Sequence, residues 1–453
     1  MKKNLPKLIL CAGLALLLSG CAFKTADELY ALPELPETYQ QLQARLDEVK
    51  VLLGAEYAAP LTGSNTATVQ LQDLDGDGVS ESTVAFFRVD SSEDPLRILI
   101  FRQKEDGSYD LKYEICGDGT AIDSISYVDL DGDGDKEIVV SWQFSSRVHT
   151  LTAYTLGVSD PIVLAHLSYN ENFKIYDLDR DGQLELAVLQ MDDTGENVDR
   201  VEYYDMTDGQ MVLAASAPMS QGIDSIPSGG VVLGSLRDNV PALYVTGISG
   251  EVILTDIYAM RDGVFTNITV NPETGKSGET MRIYDGVSAQ DINGDGMVEI
   301  PRAVQLPEPA AMHSASGHWL IYWRQFDVSG NAYTVQINYH DLANGWYLNI
   351  PESWVGQITV SRDDTKSIWG ERAIIFSYWD GDEESDPQPF LRIYRLSGSN
   401  RATRAKLGTR FILRQENSVI YAAEILDIEW NSGLSKENLI QYFSLIRKEW
   451  SNQ

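Results

Sequence analysis

The stretch Asp129-Leu130-Asp131-Gly132-Asp133-Gly134-Asp135-Lys136-Glu137 alternates carboxylates with glycines and runs straight into the apolar sequence Ile138-Val139-Val140. Ca²⁺ prefers oxygen ligands and takes about six to eight of them, at about 2.3 to 2.6 Å. A short loop can supply so many only if it turns sharply around the ion, and glycine permits such turns. The stretch therefore predicts a calcium loop followed by a β-strand.

The same pattern occurs in residues 73–81, 129–137, 177–185 and 291–299, here named loops 1 to 4. Each copy has Asp or Asn at positions one, three and five, Gly at position six and Glu at position nine. An EF-hand would place a Glu at position twelve and a helix on each side. Position twelve is Val84, Val140, Val188 or Arg302, and strand-like sequence follows. The loops are therefore expected in a β-rich repeat rather than in EF-hands.

The spacing of the loops predicts the architecture. They start 56, 48 and 114 residues apart, and residues 234–245 lie midway in the last interval and end in a similar apolar strand. Leu236 and Ala242 stand there in place of ligands, so this fifth copy is expected to bind no metal. Within one period we predict short strands at 138–143, 150–156, 162–168 and 173–176. Repeated sets of four antiparallel strands are typical of β-propeller blades. We therefore expect a mainly β chain with a propeller of about five four-stranded repeats, the alternative being an open stack of β units.

The four loops, with the strands that follow them, resemble FG-GAP/VCBS repeats, the calcium-bearing blades of integrin-type propellers. In that family the side chains at positions one, three, five and nine and the carbonyl at position seven hold Ca²⁺. The resemblance implies up to four structural Ca²⁺ ions, with these ligands: Asp73, Asp75, Asp77, Val79 and Glu81; Asp129, Asp131, Asp133, Asp135 and Glu137; Asp177, Asp179, Asp181, Gln183 and Glu185; Asp291, Asn293, Asp295, Met297 and Glu299. Arg180 departs from the usual Gly at position four of loop 3.

The amino terminus predicts export and anchoring. Residues 1–20 begin with Lys2 and Lys3 and continue into a short apolar run from Leu8 to Leu18, as in a signal peptide. The sequence Leu18-Ser19-Gly20-Cys21 resembles a bacterial lipobox, which implies cleavage before Cys21, a lipid on its thiol and attachment to the outer face of the bacterial membrane. The alternative is an ordinary secretory signal with an incidental cysteine. After cleavage only Cys116 remains beside Cys21, so no internal disulfide is expected.

The rest of the chain is divided by pattern and composition. Residues 21–56 are predicted as a tether and a helix that begins at Pro36, carries an apolar stripe and ends at Gly54. Residues 57–325 are predicted as the propeller. Residues 326–453 are rich in tryptophan and resemble a small PsbP-like α+β domain. Its last helix is expected to begin after Ser435, with this apolar face: Leu439, Phe443, Ile446 and Trp450.

Composition and motifs narrow the function. A formal charge of −32 argues against a nucleic-acid partner, which would need a basic surface. The five histidines show no metal-ligand or triad spacing, and phosphate-loop and nucleophile-elbow motifs are absent from the sequence. We therefore predict a monomeric binding module for a protein or glycan ligand, without enzymatic activity. The alternatives are a calcium-dependent polysaccharide lyase or glycan hydrolase, and a structural part of an envelope complex.

Overall fold

The computed structural model describes residues 37–90, 92–192, 194, 197–283, 286–310 and 317–446. The predicted signal peptide, Cys21, the tether, His313 and Trp450 lie outside these ranges. The described chain is mainly β, with six antiparallel sheets of four or five strands, which confirms the predicted fold class. Within these ranges, every helix is too short or too polar to cross a membrane. The chain forms two compact units, the first within residues 1–59, 67–73 and 78–118 and the second comprising the remainder.

The first unit contains the N-terminal helix, Glu37–Leu53, and sheet 1. Sheet 1 consists of β1 (Glu56–Tyr57), β2 (Val69–Gln72), β3 (Ser82–Arg88), β4 (Leu96–Gln103) and β5 (Tyr109–Gly117). The predicted apolar stripe of the helix is buried, because Leu42, Leu46 and Val49 pack in one cluster with Phe87 and Phe101 of the sheet. The helix therefore docks on sheet 1 through its apolar stripe.

The second unit contains five sheets. Sheet 2 consists of β6 (Ala121–Val128), β7 (Glu137–Gln143), β8 (His149–Leu156) and β9 (Pro161–Tyr169). Sheet 3 consists of β10 (Asn172–Tyr176), β11 (Glu185–Gln190), β12 (Arg200–Thr207) and β13 (Gln210–Pro218). Sheet 4 consists of β14 (Val231–Ser235), β15 (Pro241–Ser249), β16 (Val252–Arg261) and β17 (Val264–Asn267).

The last two sheets use the tryptophan-rich part of the chain. Sheet 5 contains β18 (Ile300–Gln305), β19 (Trp319–Phe326), β20 (Ala332–Asp341) and β21 (Trp346–Asn349). Sheet 6 contains β22 (Ile358–Asp363), β23 (Glu371–Tyr378), β24 (Gln388–Ser397), β25 (Phe411–Gln415) and β26 (Val419–Ile425). The strand β27 (Phe443–Leu445) returns to sheet 5 and pairs with β21. Short helices span Arg401–Arg404 and Lys436–Tyr442, and 3-10 turns span Arg237–Asn239, Gly278–Thr280, Glu352–Trp354 and Ser367–Trp369.

Apolar contacts join successive sheets of the second unit. One buried cluster joins sheets 2 and 3, a second joins sheets 3 and 4, a third joins sheets 4 and 5, and the largest joins sheets 5 and 6. The strands after loops 2 and 3, β7 and β11, are buried almost throughout, whereas the outer strands β9 and β13 alternate between buried and exposed residues. A strand covered on both faces needs a continuous apolar run, which is why these segments lack polar alternation.

The structure shifts the predicted repeat by one strand. The sequence grouped residues 173–176 with the three strands before them, but these residues belong to β10, which pairs with β11 in sheet 3. Loops 2 and 3 therefore join the first and second strands of their sheets, and loop 1 joins β2 to β3 of sheet 1. Loop 4 is flanked by a single bridge between Gln290 and Glu299 and leads into β18. Residues 234–242 occupy the equivalent position between β14 and β15, as expected for a fifth copy.

The C-terminal helix is shorter than predicted. Ser435 caps it as expected, because its side chain accepts a hydrogen bond from Asn438 N. The helix ends at Tyr442, however, and Phe443 begins β27. The Phe443 ring lies 5.5 Å from the Trp346 ring in the core shared by sheets 5 and 6, so extended pairing buries it where a continued helix was predicted. The predicted domain limits stay predictions; residue 325 lies inside β19.

Candidate metal centres in the acidic loops

Two turn positions give each loop its shape. At position six the glycines take φ values from 84° to 101°, as in Gly296 and Gly134, where an L side chain is disfavoured. At position four, loop 3 accommodates Arg180 in the left-handed region at φ 69°. Gly76 at the same position of loop 1 cannot be replaced so easily, because an added Cβ would lie 2.1 Å from Gly134 O of loop 2.

The first aspartate of each loop organises the turn through its carboxylate. Asp129 accepts hydrogen bonds from Gly132 N at 2.7 Å and from Gly134 N at 3.1 Å. Asp291 accepts equivalent bonds from Gly294 N and Gly296 N, at 2.6 and 2.8 Å. These bonds hold backbone amides on one side of the carboxylate. The loop thus wraps around its own acidic residues, as a cation site requires.

The side chains at positions three and five accept bonds from amides two residues later. In loop 3, Asp179 accepts from Asp181 N at 3.1 Å, and Asp181 accepts from Gln183 N at 2.8 Å. In loop 4, Asn293 Oδ1 accepts from Asp295 N at 2.9 Å. Such short-range bonds fix each side chain through one oxygen, so its position is set before any ion arrives.

In loops 2, 3 and 4 the glutamate at position nine lies buried beneath the loop. Glu137, Glu185 and Glu299 are almost completely buried. Their Oε2 atoms accept hydrogen bonds from the amide at position two, with Leu130 N at 2.8 Å and Leu178 N at 2.6 Å in loops 2 and 3. Each glutamate is the last loop residue and sits at or next to the start of the following strand, so the sheet itself holds it under the loop.

The acidic side chains converge in groups that could hold a metal ion. One oxygen from each member lies within 4.8 Å of the others in these sets: Asp129, Asp131 and Glu137; Asp177, Asp179, Asp181 and Glu185; Asp291, Asp295 and Glu299; and Asp73, Asp75, Asp77 and Glu81. Asp133 lies outside the group in loop 2, with its Oδ1 accepting from Asp135 N at 2.9 Å. The predicted carbonyl ligands, at Val79, Asp135, Gln183 and Met297, stay predictions.

Two buried glutamate oxygens indicate that a cation fits. Among the described residues, Glu137 Oε1 and Glu185 Oε1 are buried without a hydrogen-bond partner. Burial and then the carboxylates of Asp179 and Asp177 raise the pKa of Glu185 to about 8, against the bond from Leu178 N. Burial likewise raises the pKa of Glu137. A buried carboxylate beside other carboxylates is costly unless a positive charge compensates it. A divalent cation would supply that charge.

Loop 4 differs because a side chain from β19 enters its acidic group. Gln325 Nε2 donates to Asp295 Oδ2 and to Glu299 Oε1, both at 2.7 Å. Burial still raises the pKa of Glu299 to about 7, although the Gln325 bond opposes this. The Gln325 amide therefore gives Glu299 Oε1 the hydrogen bond that Glu137 Oε1 and Glu185 Oε1 lack. Gln325 lies 26 residues after Glu299 in an apolar strand, so no local sequence signal reveals it.

Backbone hydrogen bonds link successive copies. Lys136 N donates to Leu74 O at 2.7 Å, and Leu184 N donates to Leu130 O at 3.1 Å. In both cases the amide at position eight reaches the carbonyl at position two of the preceding loop. Val298 N donates in the same way to Ser235 O of the fifth copy, at 3.1 Å. The fifth copy has Pro241 at position eight, which has no N–H, so it cannot form the corresponding bond to loop 3.

The fifth copy keeps the fold of the loop without its acidic group. Leu236 and Ala242, at positions three and nine, are fully buried in the cluster between sheets 4 and 5. Asp238 and Asn239 both take positive φ, at 60° and 61°. Apolar packing has replaced the position-three and position-nine carboxylates of the other loops.

Comparison with known proteins gives matches among solved structures alone. No family model and no curated protein matches the sequence. Among solved structures, the chain is similar to the rhamnogalacturonan lyase YesW, with 14% identity and a TM-score of 0.31, over 71% of this chain and 61% of that one. It therefore spans less than two thirds of that structure. It is also similar to the exotype rhamnogalacturonan lyase YesX, with 14% identity and a TM-score of 0.30, over 74% and 70% of the two chains. The Dos1 propeller aligns at 7% identity and a TM-score of 0.24, over 65% and 92%.

These structures correct one prediction. The sequence predicts a protein without enzymatic activity, but the solved structures that match this chain include two lyases. The prediction failed because it rested on missing short motifs, and a catalytic group assembled from distant strands leaves no such motif.

Proposed function

We propose that this protein is an exported, lipid-anchored module in which calcium stiffens a propeller-type array of sheets that binds a protein or glycan ligand. The observation that carries the calcium part is the recurrence of acidic groups closed by a buried glutamate. The unpaired oxygens of Glu137 and Glu185 support it further. The FG-GAP/VCBS resemblance belongs to the same proposal, because its ligand positions coincide with these groups.

The proposed calcium ligands are the residues at positions one, three, five, seven and nine of each loop. Positions one, three, five and nine contribute side-chain oxygens, and position seven contributes its carbonyl. Oxygen-only donor sets with several carboxylates suit Ca²⁺, which tolerates high coordination numbers, better than Mg²⁺, which demands a regular octahedron. Bound calcium would offset the charge of the clustered carboxylates and tie each loop to the strand after it. Because the ion binds only the folded loop, it stabilises the fold by mass action.

The proposed location is the outer face of the bacterial membrane, with the lipid on Cys21. The strongly negative charge favours a soluble, exported module and disfavours direct binding of its surface to anionic lipid. Detergent partitioning of the wild-type chain and of Cys21→Ser in a bacterial host tests the anchor. The wild type is expected with the membranes and C21S in the released fraction.

Metal analysis tests the calcium part directly. The purified mature protein, dialysed against calcium and then against a chelator-treated buffer, is expected to retain up to four Ca²⁺ per chain, one for each acidic group. Its Tm should fall when EGTA is added and return with calcium but not with equimolar magnesium. Unchanged melting in EGTA together with a metal-free preparation would refute the proposal.

Two further experiments address the ligand. A pull-down from native membranes, with and without calcium, identifies protein partners that require the metal-bound fold. Incubation with a panel of acidic polysaccharides, followed by assays for unsaturated and reducing ends, tests the alternative of a lyase or hydrolase. New ends in the presence of wild-type protein would establish that alternative.

A further inference from the structure

We propose that a polar pocket on sheet 6 binds a neutral saccharide, and this inference rests on the proposed role as a binding module. The pocket measures about 340 Å³, near the lower end of the range of about 300 to 1,000 Å³ for small-molecule sites. It lies over one face of β22, β23, β24 and β26, far in sequence from the acidic loops. Its charged lining residues are Asp363, Lys366, Glu371, Arg392, Arg410 and Glu424.

The lining offers equal numbers of cations and carboxylates, and each of the three cations is paired with Glu371 or Glu424. Glu371 lies 2.9 Å from Arg410 and 3.9 Å from Lys366. Glu424 lies 3.7 Å from Arg392 and accepts a hydrogen bond from Tyr394 Oη at 2.9 Å. A balanced lining has no excess charge to attract an ion. It does present donors and acceptors side by side, which suits hydroxyl groups because each hydroxyl both donates and accepts.

One donor in the lining still lacks a partner. Among the described residues, Arg392 Nε is buried and has no hydrogen-bond partner, although its Nη1 faces Glu424. A buried donor without an acceptor is disfavoured, so an acceptor from a ligand would be bound preferentially at this point. A sugar hydroxyl supplies such an acceptor without adding a charge.

An exposed tryptophan lies in the turn that joins two lining residues of the pocket. Trp369 is 66% exposed, and Ile368 before it is 82% exposed. It ends the turn Ser367–Trp369, which lies in sequence between the lining residues Lys366 and Glu371. Flat aromatic faces pack well against the apolar faces of pyranose rings. We therefore expect a bound saccharide to extend from the pocket to the exposed Trp369, which is two residues from the lining residue Glu371.

The turn that carries Trp369 is rigid. Lys366 O accepts hydrogen bonds from Trp369 N at 3.0 Å and from Glu371 N at 3.2 Å. Gly370 follows at φ 74°, and an added Cβ there would lie 2.6 Å from Ser397 Oγ. Ser397 N in turn donates to Gly370 O at 2.8 Å. The backbone beside the indole is thus fixed against β24, which lowers the entropy lost on binding. A protein partner would need an interface of about 1,000 Å² or more, so the small pocket favours a saccharide.

Isothermal titration with neutral oligosaccharides, run in calcium, tests the proposal. The probes are hexasaccharides of glucose, mannose and galactose, with oligogalacturonate as the acidic comparison. At least one neutral probe is expected to bind, and Trp369→Ala and Arg392→Gln should each weaken binding tenfold or more. The control is Tyr39→Ala, which removes another exposed aromatic, 42% exposed on the N-terminal helix, and should bind like the wild type.

The outcomes separate this inference from the proposed function. Calcium content and the Tm shift between calcium and EGTA are measured for every variant, and the pocket variants should match the wild type. If no neutral probe binds, if only the acidic probe binds, or if both pocket variants bind like the wild type, the pocket inference is overturned while the calcium result stands on its own. Loss of the calcium effect in the wild type would overturn the proposed function separately.

Discussion

Replacing the buried glutamate of loop 3 with glutamine should have opposite effects with and without calcium. Glu185 is almost completely buried, and its Oε1 has no partner among the described residues. Glu185→Gln keeps the shape and an oxygen for Leu178 N, but it removes the negative charge. In the metal-free protein the buried charge lowers the stability of the fold, whereas in the calcium-bound protein the carboxylate would be a ligand of the ion.

The magnitude follows from the pKa of this carboxyl. Burial raises the pKa of Glu185 to about 8 in the folded protein, from an ordinary value of 4.5. Because one pH unit corresponds to about 1.4 kcal/mol, keeping Glu185 in the folded chain at pH 8 costs about 4 kcal/mol relative to the unfolded chain. Glu185→Gln should therefore raise the free energy of unfolding in EGTA by about 2 to 4 kcal/mol. In saturating calcium the free energy of unfolding of the variant should fall by about 1.4 kcal/mol for each tenfold loss of calcium affinity at loop 3.

The assay is chemical unfolding at pH 8 of wild type and variant, each in saturating calcium and in EGTA. The matched control is Glu202→Gln, because Glu202 is also buried in sheet 3 but is paired with Arg200 at 2.6 Å and bonded to Tyr204 at 3.0 Å. E202Q should destabilise the protein equally in both buffers. If E185Q also loses the same stability in both buffers, Glu185 acts as an ordinary hydrogen-bonding carboxylate and the metal-site reasoning is wrong.

Three further predictions concern the other loops and the first unit. Gln325→Met removes the amide between Asp295 and Glu299 and should lower the metal-free unfolding free energy by about 1 to 3 kcal/mol, with a smaller loss in calcium; equal losses in both buffers would contradict this. The pKa values of Glu185, about 8, and Glu299, about 7, lie above the ordinary glutamate value of 4.5. The free energy of unfolding of the metal-free protein should therefore fall as pH rises from about 4.5 to 8. The Tm gain from calcium should grow over the same range, and a gain independent of pH would show that these groups do not compete with the ion. Leu46→Ala, in the core under the N-terminal helix, should cost about 2 to 4 kcal/mol without changing the calcium content.

The acidic loops could be predicted because their chemistry is local. Asp, Gly and Glu at fixed spacing in nine residues determine a turn, and the apolar run after Glu137 or Glu185 determines a doubly covered strand. The same local signal located the fifth copy, where Leu236 and Ala242 replace two ligands. Where one sheet ends and the next begins is not local information, so the strand at 173–176 was assigned to the wrong sheet.

The parts that escaped prediction depend on contacts between distant residues. Sheet 6 carries no copy of the nine-residue loop pattern. A count of loop copies therefore gave about five repeats, whereas the described residues form six sheets. Phe443 leaves its helix because β21 offers a pairing edge and Trp346 offers a core. Gln325 reaches loop 4 from β19, and nothing near it in sequence marks that contact. Trp369 has apolar neighbours in sequence, but the Gly370 turn directs that segment into solvent.

The hydrogen bonds between successive loops have a consequence for how calcium would load. Leu184 N and Leu130 O join the backbones of loops 3 and 2, so an ion that orders one loop also orders a peptide group of the other. Binding at these two loops should then be positively cooperative, with a Hill coefficient above one. Pro241 interrupts the series before loop 4, which is braced by Gln325 instead. Calcium titration should therefore resolve a cooperative phase from loops 2 and 3 and an independent phase from loop 4. Pro241 separates the two phases, because it cannot donate the hydrogen bond that would continue the series.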